Sequence, residues 1–194
     1  MTVMARRGRD TFQKYKPLIM ALATFFKLFP KSFRTKLLVT FRKTTGNKGL
    51  AIRYALLKTL AKSCGDNVSI HPDVYVFSVS QLSIGSNVSI HPMCYIDASG
   101  EIDIGNDVSV AHATTILSTS HTFGDINLPI KDQVIKKQKT VIEDNVLIGA
   151  KAMVLCGNTV HSGSVIAAGA VVTHDIPCNA VAVGVPARVI KERS

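Results

Sequence analysis

The sequence predicts an all-β protein, a triangular parallel β-helix of about five coils with a projecting loop and an N-terminal helical extension. Three observations predict this fold. Aliphatic residues recur every six positions through residues 63–176. The recurrence is interrupted once, within residues 118–139, and it does not occur in residues 1–62. Each observation defines one part of the chain.

The six-residue recurrence is the strongest of these signals. Three steps of six make one turn of a triangular coil, so equivalent positions return at every third step, or slightly later where a corner is longer. A helical period of 3.6 or a simple alternation does not produce this spacing. Gly and Asn also recur in phase, in the runs Ile84–Val88 and Ile104–Val108, which disfavours an accidental run of aliphatic residues in a β-sandwich. The recurring residues are Ile70, Val76, Ile84, Ile90, Ile96, Ile104, Val110, Ile116, Ile142, Ile148, Val154, Val160, Ile166 and Val172.

The interruption marks a projecting loop. The step from Ile116 to Ile142 is several times longer than the single step of six that would have reached the next side of the coil. The excess lies within residues 118–139, and long loops in compact domains are usually functional. His121 stands near the start of this loop, and an imidazole is well suited to take a proton near neutral pH. The loop is therefore the first place to look for chemistry.

The N-terminal segment differs from the rest in charge. Residues 1–62 hold 15 of the 23 Lys and Arg but only one acid, Asp10, whereas residues 63–194 are net acidic. Such a segment favours peripheral contact with an anionic membrane, although Lys and Arg that merely solvate surface helices fit about as well. Nucleic acid is a less favoured partner. The most apolar stretch, residues 18–29, is too short to cross a bilayer.

The same segment is predicted to be a helical cap. Residues 50–62 suit an amphipathic helix, and one or two helices are expected before it. The end of a β-helix exposes unpaired backbone and apolar side chains, which a helical cap covers. The helix is expected to place Ile52, Leu56, Leu57 and Leu60 on its apolar side and Arg53, Lys58 and Lys62 on its polar side.

The cysteines and histidines give no metal pattern. Cys64, Cys94, Cys156 and Cys178 have no CxxC spacing, so reduced packing thiols in a cytoplasmic protein are expected. His71 and His91 each stand within an Ile-His-Pro triplet, and the spacing of the triplets predicts that the two rings stack one coil apart. No signal peptide is evident. No resident metal is expected.

Three C-terminal segments resemble a known family. Residues 142–150, 165–173 and 182–191 are similar to the hexapeptide-repeat acyltransferases, in the branch of galactoside and maltose O-acetyltransferases and surface-polysaccharide O-acetyltransferases. The resemblance extends over residues 64–191. It implies a left-handed parallel β-helix, acetyl-CoA as co-substrate and a homotrimer with active sites between subunits. Where that family commonly has Trp and Lys, this chain has Leu147 and His174.

The resemblance also assigns roles to residues. It implies that His121 is the general base and that the backbone N–H of Ala150, after Gly149, binds the oxyanion. It places Ala168, Thr173, Arg188 and Lys191 along the CoA path. The acceptor contacts that it suggests are His91, Asp97 and Ser99.

The resulting expectation is a three-part enzyme. Residues 1–62 form the basic cap, residues 63–176 the β-helix with loop 118–139, and residues 177–194 a tail that completes the CoA site. The expected activity is O-acetylation of a sugar or a surface-polysaccharide precursor in the cytoplasm, with peripheral attachment at the inner membrane face left open. Alternatives are N-acetylation of an amino sugar nucleotide and a non-catalytic scaffold. A γ-type carbonic anhydrase is disfavoured, because no two histidines have the His-x4-His spacing of its zinc ligands.

Overall fold

The computed structural model describes residues 8–193. Its N-terminal part is helical, as predicted, and its remaining residues wind into a triangular prism of short parallel strands. The helices are α1 (Gly8–Lys27), α2 (Lys31–Thr40) and α3 (Gly46–Leu60), with a 3-10 turn at Phe41–Lys43 between α2 and α3.

Each coil of the prism contributes one strand to each of three parallel sheets. The first three coils hold β1 (Ser63–Cys64), β2 (Ser69–Ile70), β3 (Tyr75–Phe77), β4 (Leu82–Ile84), β5 (Ser89–Ile90), β6 (Tyr95–Asp97), β7 (Ile102–Ile104), β8 (Ser109–Val110) and β9 (Thr115–Leu117). After a hairpin of β10 (Thr119–His121) and β11 (Ile135–Lys137), the next two coils hold β12 (Thr140–Ile142), β13 (Leu147–Ile148), β14 (Met153–Val154), β15 (Thr159–Val160), β16 (Val165–Ile166) and β17 (Val171–Val172).

The observed register confirms the predicted left-handed β-helix. Ile84 pairs with Ile104 in the longer coils before the interruption, whereas Ile142 pairs with Val160 in the shorter coils after it. Five coils are complete, and β18 (Ala180–Val183) begins a sixth by pairing with β16. Sheet one contains β1, β4, β7, β12 and β15; sheet two contains β2, β5, β8, β13, β16 and β18; sheet three contains β3, β6, β9, β14 and β17.

The predicted recurring residues fill the prism. All of them are buried except Val76, which is half-buried. The corners between sheets one and two place Asn67, Asn87, Asp107 and Asn145 at positive φ, which Asn and Asp tolerate better than most residues. These polar residues therefore serve the turn, while the aliphatic ladder supplies the apolar core.

The interruption is an ordered arm. It leaves the prism after β9 and returns at β12, at the edge between sheets three and one. Within it, β10 and β11 pair antiparallel, with His121 opposite Ile135. Gln133 donates hydrogen bonds to the carbonyls of Asp125 (2.7 Å) and Leu128 (3.0 Å) and so holds the tip of the arm. The predicted loop is thus a hairpin with a defined shape.

The helices cover the N-terminal end of the prism. Leu56, Leu57 and Leu60 of α3 are buried, and the Tyr54 hydroxyl donates to the carbonyl of Gly65 at 2.9 Å. Helix α1 runs beside the coils: Lys16 pairs with Asp66 of the first coil at 2.5 Å. Further along the prism, Arg9 pairs with Asp107 of the third coil. Of the helices within residues 8–193, none is long and apolar enough to cross a membrane.

Arg53 corrects the predicted helix. It was expected on the polar side, yet only 1% of it is exposed. Its guanidinium donates to the carbonyls of Ile70 at 2.7 Å, Phe41 at 2.9 Å and Thr44 at 2.6 Å. Two of these carbonyls belong to the connection between α2 and α3 and the third to β2, so Arg53 joins the cap to the first coil. The helix itself begins at Gly46 and ends at Leu60, leaving Lys62 outside it.

Replacing Arg53 with methionine should destabilise the fold. Methionine fills much of the same space but leaves the three carbonyls without their donor, at a cost of about 2–4 kcal/mol in the free energy of unfolding. Urea denaturation followed by circular dichroism measures this loss. Lys48→Met, at an exposed position of the same helix, is the matched control and should stay within about 0.5 kcal/mol of the parent. Equal stabilities for the two variants would show that the Arg53 contacts contribute nothing.

The C-terminal residues extend sheet two. Strand β19 (Arg188–Glu192) pairs antiparallel with β18, and Arg193 donates to the carbonyl of Gly163 at 2.5 Å. All four cysteines are free: Cys94 is buried, Cys64 and Cys156 are half-buried and Cys178 is exposed. Burial raises the pKa of Cys64 to about 12, so this thiol stays protonated and packs as a small apolar group.

Candidate active site

His121 is presented to solvent by the arm. It is the last residue of β10, and its backbone is aligned by pairing with β11. The next residue, Thr122, donates from both its N–H and its hydroxyl to the carbonyl of Val134, at 3.0 and 2.9 Å. The imidazole is therefore exposed on a backbone that is fixed on both sides. Such an arrangement leaves a ring nitrogen free to reach a bound molecule.

Asp97 anchors the base of the same arm. Its carboxylate accepts a hydrogen bond from the Ser99 hydroxyl at 2.5 Å and another from the Thr119 hydroxyl at 2.8 Å. Thr119 is the first residue of β10, the strand that ends at His121. The Ser78 and Ser99 hydroxyls are 2.9 Å apart, which extends the polar cluster to the first coil. Asp97, Ser99 and the strand that carries His121 are thus brought together at one edge of the prism.

The protonation state of Asp97 follows from these contacts. Burial alone would raise its pKa, but the hydrogen bonds from Ser99 and Thr119 and the charge of Lys137 outweigh burial and hold the pKa below its ordinary value. The group is therefore ionised at neutral pH. An ionised carboxylate at the base of the arm can accept a hydrogen bond from a ligand hydroxyl.

A row of turns forms the edge between sheets two and three. Because the coils are in register, Pro72, Pro92, His112, Ala150 and Ala168 occupy equivalent turn positions. The following residue has positive φ in every coil, as the type II turn requires. Proline has no N–H, whereas the N–H groups of the other three find no acceptor within residues 8–193. In the described coils, the first two turns of this row therefore have no free N–H, and the third and later turns each have one.

Gly149 lets two coils approach closely at this edge. A Cβ at this position would lie 2.4 Å from the backbone nitrogen of Ala168, closer than real atoms pack. The position therefore requires glycine. The register of β13 and β16 makes Ala150 and Ala168 equivalent residues of successive coils, so their two free donors are neighbours along the row. This explains the place of Gly149 in the predicted site.

The remaining predicted CoA contacts lie further along the prism. Thr173 follows β17, and its hydroxyl is 2.9 Å from Nδ1 of His174. Arg188 and Lys191 are exposed on β19, whose partner β18 continues sheet two. All three lie at the C-terminal end of the described chain: Arg188 pairs with Val183 near the edge between sheets two and three, whereas Thr173 stands at the edge between sheets three and one. Leu147, on β13, is 44% exposed.

His91 lies apart from the Asp97 cluster. Its ring stacks on that of His71, with centroids 4.8 Å apart and planes 8° from parallel, as the spacing predicted. Both histidines follow strands of sheet two, whereas Asp97 and Ser99 lie at the far end of sheet three. Within one chain the three predicted acceptor contacts are therefore divided between two edges.

The stacked pair predicts a dependence of stability on pH. Burial, the neighbouring His91 and the charge of Arg53 lower the pKa of His71 in the folded protein. The unfolded chain, with a His pKa of about 6.5, then binds more protons, so the free energy of unfolding falls as the pH drops below about 6.5 and levels off below the folded-state pKa. Urea denaturation between about pH 7.5 and 5.5 should show this fall, and His71→Asn should reduce it. An unchanged pH profile in the variant would contradict the assignment.

The catalytic candidates also lie at two edges. His121 and Asp97 flank the edge between sheets three and one, and Ala150 and Ala168 lie at the edge between sheets two and three. Each side of the prism is one six-residue step long. At ~3.3 Å per residue, its length is at most about 20 Å. A single chain therefore holds the imidazole and the free donors on opposite sides of sheet three.

One cluster has donor atoms of metal-binding type. Glu143, His161 and Cys178 bring one donor atom each to within 4.8 Å of one another, the one such group in the part of the chain that the structure describes. Glu143 is already engaged, because His161 Nδ1 lies 3.0 Å from its carboxylate and Ser162 donates to it at 2.9 Å. The cluster contains a single histidine, unlike the three-histidine site of a γ-type carbonic anhydrase. The absence of a resident metal remains a prediction.

Two residues of the polar cluster were not predicted. Thr119 connects Asp97 to the strand of His121, and Ser78 extends the cluster through Ser99. Asp97 and Thr119 are 22 positions apart, so no local motif joins them. The signal available in the sequence was the Ser-Thr-Ser-His run at the start of the loop, whose hydroxyls precede the imidazole.

Known proteins share this architecture. A family model described as the hexapeptide repeat of succinyl-transferase matches residues 139–174. A galactoside acetyltransferase in complex with coenzyme A is similar, with a TM-score of 0.74 and 31% identity over 84% of this chain and 80% of that chain. A maltose O-acetyltransferase from Clostridium difficile 630 has a TM-score of 0.72 and 29% identity over 84% of this chain and 86% of that chain.

Two further acetyltransferases are similar to this chain. A hexapeptide-repeat acetyltransferase from Vibrio cholerae O1 biovar eltor, complexed with acetyl coenzyme A, has a TM-score of 0.74 and 26% identity over 84% of this chain and 86% of that chain. A 2,3,4,5-tetrahydropyridine-2,6-dicarboxylate N-acetyltransferase of Staphylococcus aureus strain JH9 is 56% identical over 54 residues. That match spans 28% of this chain and only 23% of the curated relative's length.

Proposed function

The chain belongs to the hexapeptide-repeat acyltransferases, and we propose on this basis that it transfers an acetyl group from acetyl-CoA to a hydroxyl of a sugar or a surface-polysaccharide precursor. The observation that carries the proposal is the position of His121. Its imidazole is exposed on a fixed strand whose first residue, Thr119, donates to the ionised Asp97, at the point where the coil is interrupted. A general base for an incoming hydroxyl needs this combination of access and alignment.

The proposed reaction uses His121 twice. One ring nitrogen takes the proton of the acceptor hydroxyl as its oxygen attacks the thioester carbonyl carbon. The carbonyl oxygen becomes an oxyanion and accepts a hydrogen bond from the free N–H of Ala150. The tetrahedral intermediate then collapses, the carbon–sulfur bond breaks, and the imidazolium returns its proton to the departing CoA thiolate. The products are the acetyl ester and free CoA, and His121 is neutral again.

The CoA path is proposed to pass the edge between sheets two and three, where Ala168 lies, and to reach the C-terminal coils, where Thr173 stands at the edge between sheets three and one. The free N–H of Ala168 is a donor for the pantetheine amides, and the Thr173 hydroxyl is a further polar contact. Arg188 and Lys191 supply positive charge for the nucleotide phosphates. Three observations support this path: the free donors, the exposed basic residues at the C-terminal end, and two similar structures that hold CoA or acetyl-CoA.

The acceptor is proposed to be a carbohydrate hydroxyl. Asp97 and Ser99 offer a carboxylate and a hydroxyl at the base of the arm that carries His121, and such groups recognise sugar hydroxyls by hydrogen bonds. His91 would contribute from the edge of another subunit. The O-acetyltransferase similarity covers most of both chains, whereas the similarity to an N-acetyltransferase is confined to 54 residues. O-acetylation is therefore preferred over N-acetylation of an amino sugar nucleotide.

A homotrimer would complete the site. Each chain holds His121 at one edge and the Ala150 donor at another, so a neighbouring chain has to supply one of them. The arm also exposes apolar side chains that a neighbour would cover, including Phe123 at 77%, Ile126 at 94% and Val134 at 75%. Cyclic symmetry with three equivalent interfaces would form three such sites.

Mixed trimers test the shared site. Co-expression of His121→Ala chains with Ala150→Pro chains should recover activity, because some interfaces then combine an intact imidazole with an intact N–H. Every trimer that contains both kinds of chain has one intact interface out of three, so about a third of the parent activity is expected. The measurement is acetyl transfer by purified mixed trimers, isolated through two different tags. Each variant assembled alone is the control, and a mixture as inactive as the controls would show that the site lies within one chain.

The activity itself is tested by thiol release. Purified protein, acetyl-CoA and a panel of mono- and oligosaccharides should release CoA only with an accepted sugar, and mass spectrometry should find an added acetyl ester. Ester and amide products separate under mild base, which removes only the ester. Acetylation of an amino group would favour the N-acetyltransferase. Failure to bind CoA by calorimetry would favour a non-catalytic scaffold.

A cytoplasmic location is part of the proposal. All four cysteines are free, which suits a reducing compartment, and acetyl-CoA must be available there. A role in polysaccharide biosynthesis at the inner face of the membrane would bring the enzyme close to precursors under assembly.

A further inference from the structure

The C-terminal half of α1, the turn after it and the start of α2 expose large apolar side chains. We define the helical tip as Leu18, Phe25, Leu28, Phe29 and Phe33. Leu28 is 78% exposed, Leu18 is 70%, Phe25 is 53% and Phe33 is 43%. The three aromatic rings pack in sequence, with centroids 5.3 Å apart between Phe25 and Phe29 and 5.2 Å apart between Phe29 and Phe33. The helical tip is thus an ordered apolar surface.

The packing of α1 explains why the helical tip is uncovered. Phe12, Ile19, Ala23 and Phe26 are buried, and the ring of Phe12 lies 5.5 Å from that of Tyr54 on α3. These residues recur at helical spacing and form the face that binds the rest of the chain. The residues of the helical tip that belong to α1 fall on the other face. A helix with two apolar faces and one partner has a second surface to bury.

The basic residues of the N-terminal extension divide into those that pair with acids and those that do not. Arg9, Lys16, Lys58 and Lys62 pair with acids of the coils. In contrast, Lys27, Lys31 and Lys36 of the exposed helices have no carboxylate within ion-pair distance among residues 8–193. The segment 1–62 contains a single acid, Asp10. Lys27 and Lys31 flank Leu28 and Phe29 in the sequence, so unpaired positive charge adjoins the helical tip.

We propose that the helical tip docks on an anionic membrane surface. The aromatic and leucine side chains would enter the boundary between headgroups and acyl chains, and the lysines would face the phosphates. A second copy of the chain is a poor occupant, because it would bring an equally basic tip against the first. An apolar patch and a cationic rim together give the two signals that reversible membrane attachment requires. The inference concerns attachment and does not depend on the acetyl-transfer chemistry.

Vesicle sedimentation tests the proposal with the full chain. Vesicles of phosphatidylcholine with about a quarter phosphatidylglycerol should retain the protein at least about tenfold better than phosphatidylcholine alone. Leu18→Ser combined with Leu28→Ser should lower the partition coefficient by at least about tenfold, because both side chains would leave the apolar layer. Lys27→Gln and Lys31→Gln should each lower it by about fivefold.

A matched variant separates the helical tip from the rest of the extension. Val39→Ser removes an aliphatic side chain that is 57% exposed on α2 but outside the helical tip, and it should leave binding within about twofold. Circular dichroism and gel filtration verify that every variant is folded. Equal binding to neutral and anionic vesicles, or no binding to either, would overturn the proposal. So would a change in oligomeric state in the leucine variant, which would make the helical tip a contact between proteins.

Discussion

Replacing His121 with alanine should lower kcat/KM for acetyl transfer by about 10²–10⁴-fold while CoA binding remains within about threefold of the parent. The variant removes the group that takes the acceptor proton, and an uncharged hydroxyl is a poor nucleophile without it. It leaves the arm intact, because the side chain of His121 is exposed and its position is fixed by backbone pairing with Ile135. The measurement is the rate of thiol release at saturating acetyl-CoA.

His161→Ala provides the matched control. His161 follows β15 at the edge between sheets one and two, where it contacts Glu143 and none of the proposed site. Its removal should change kcat/KM by less than about threefold. Calorimetry with CoA shows whether donor binding survives in both variants. Parent-like acetyl transfer by folded His121→Ala protein would remove His121 from the mechanism.

The second large effect is expected from Ala150→Pro. Proline deletes the N–H that is proposed to bind the oxyanion, and losing one such donor typically costs about 10²–10³-fold in kcat. The backbone should accept the change, since Pro72 and Pro92 already occupy the equivalent turn positions in the first two coils. The neighbouring bond from the Lys151 N–H to the His112 carbonyl, 3.0 Å long, does not involve the deleted donor.

His112→Pro makes the same change one coil earlier. The N–H of His112 also lacks an acceptor within residues 8–193, but no role in catalysis is assigned to it, so activity should stay within about threefold of the parent. Thermal unfolding of both variants measures the cost of proline in the turn. If Ala150→Pro retained full kcat, the oxyanion would have to be bound elsewhere. If both variants lost activity equally, the effect would belong to the turn rather than to the donor.

The interior of the prism was predictable because its pattern is local. Each coil repeats the same burial, so the environment of residues such as Ile96 and Ile148 follows from spacing alone. The break before Ile142 located the arm for the same reason. That the arm is a hairpin was not predictable from this pattern, because the pairing of His121 with Ile135 follows from no recurrence.

Arg53 shows the limit of a helical pattern. The helical pattern places Arg53 on the side that faces solvent. The carbonyls to which Arg53 donates nevertheless come from Phe41, Thr44 and Ile70, which lie before and after α3 in the sequence. No property of the helix alone indicates those acceptors. A charged side chain can be buried where enough hydrogen-bond acceptors surround it, and only the folded chain brings these acceptors together.

The site was predictable only in part for a related reason. His121, Gly149 and Ala150 lie within recognisable motifs, whereas the bond between Asp97 and Thr119 joins residues that are distant in the sequence. The free donors of Ala150 and Ala168 depend on turn geometry and on which residues are not proline. That the imidazole and these donors occupy different edges emerges from the order of the sheets.

Helix α1 affects which end of the β-helix unfolds first. A stack of coils in which each contacts only its neighbours tends to fray from an unsecured end. The ion pairs of Arg9 and Lys16 connect α1 to the third and first coils, so α1 spans the first three coils at the N-terminal end. At the other end of the described chain, the last complete coil is covered by β18, β19 and the turns around them, and no helix there spans several coils. Slow amide exchange should therefore fade toward the C-terminus, and CoA at its proposed contacts Ala168, Thr173 and Arg188 would restrain the layers that open first.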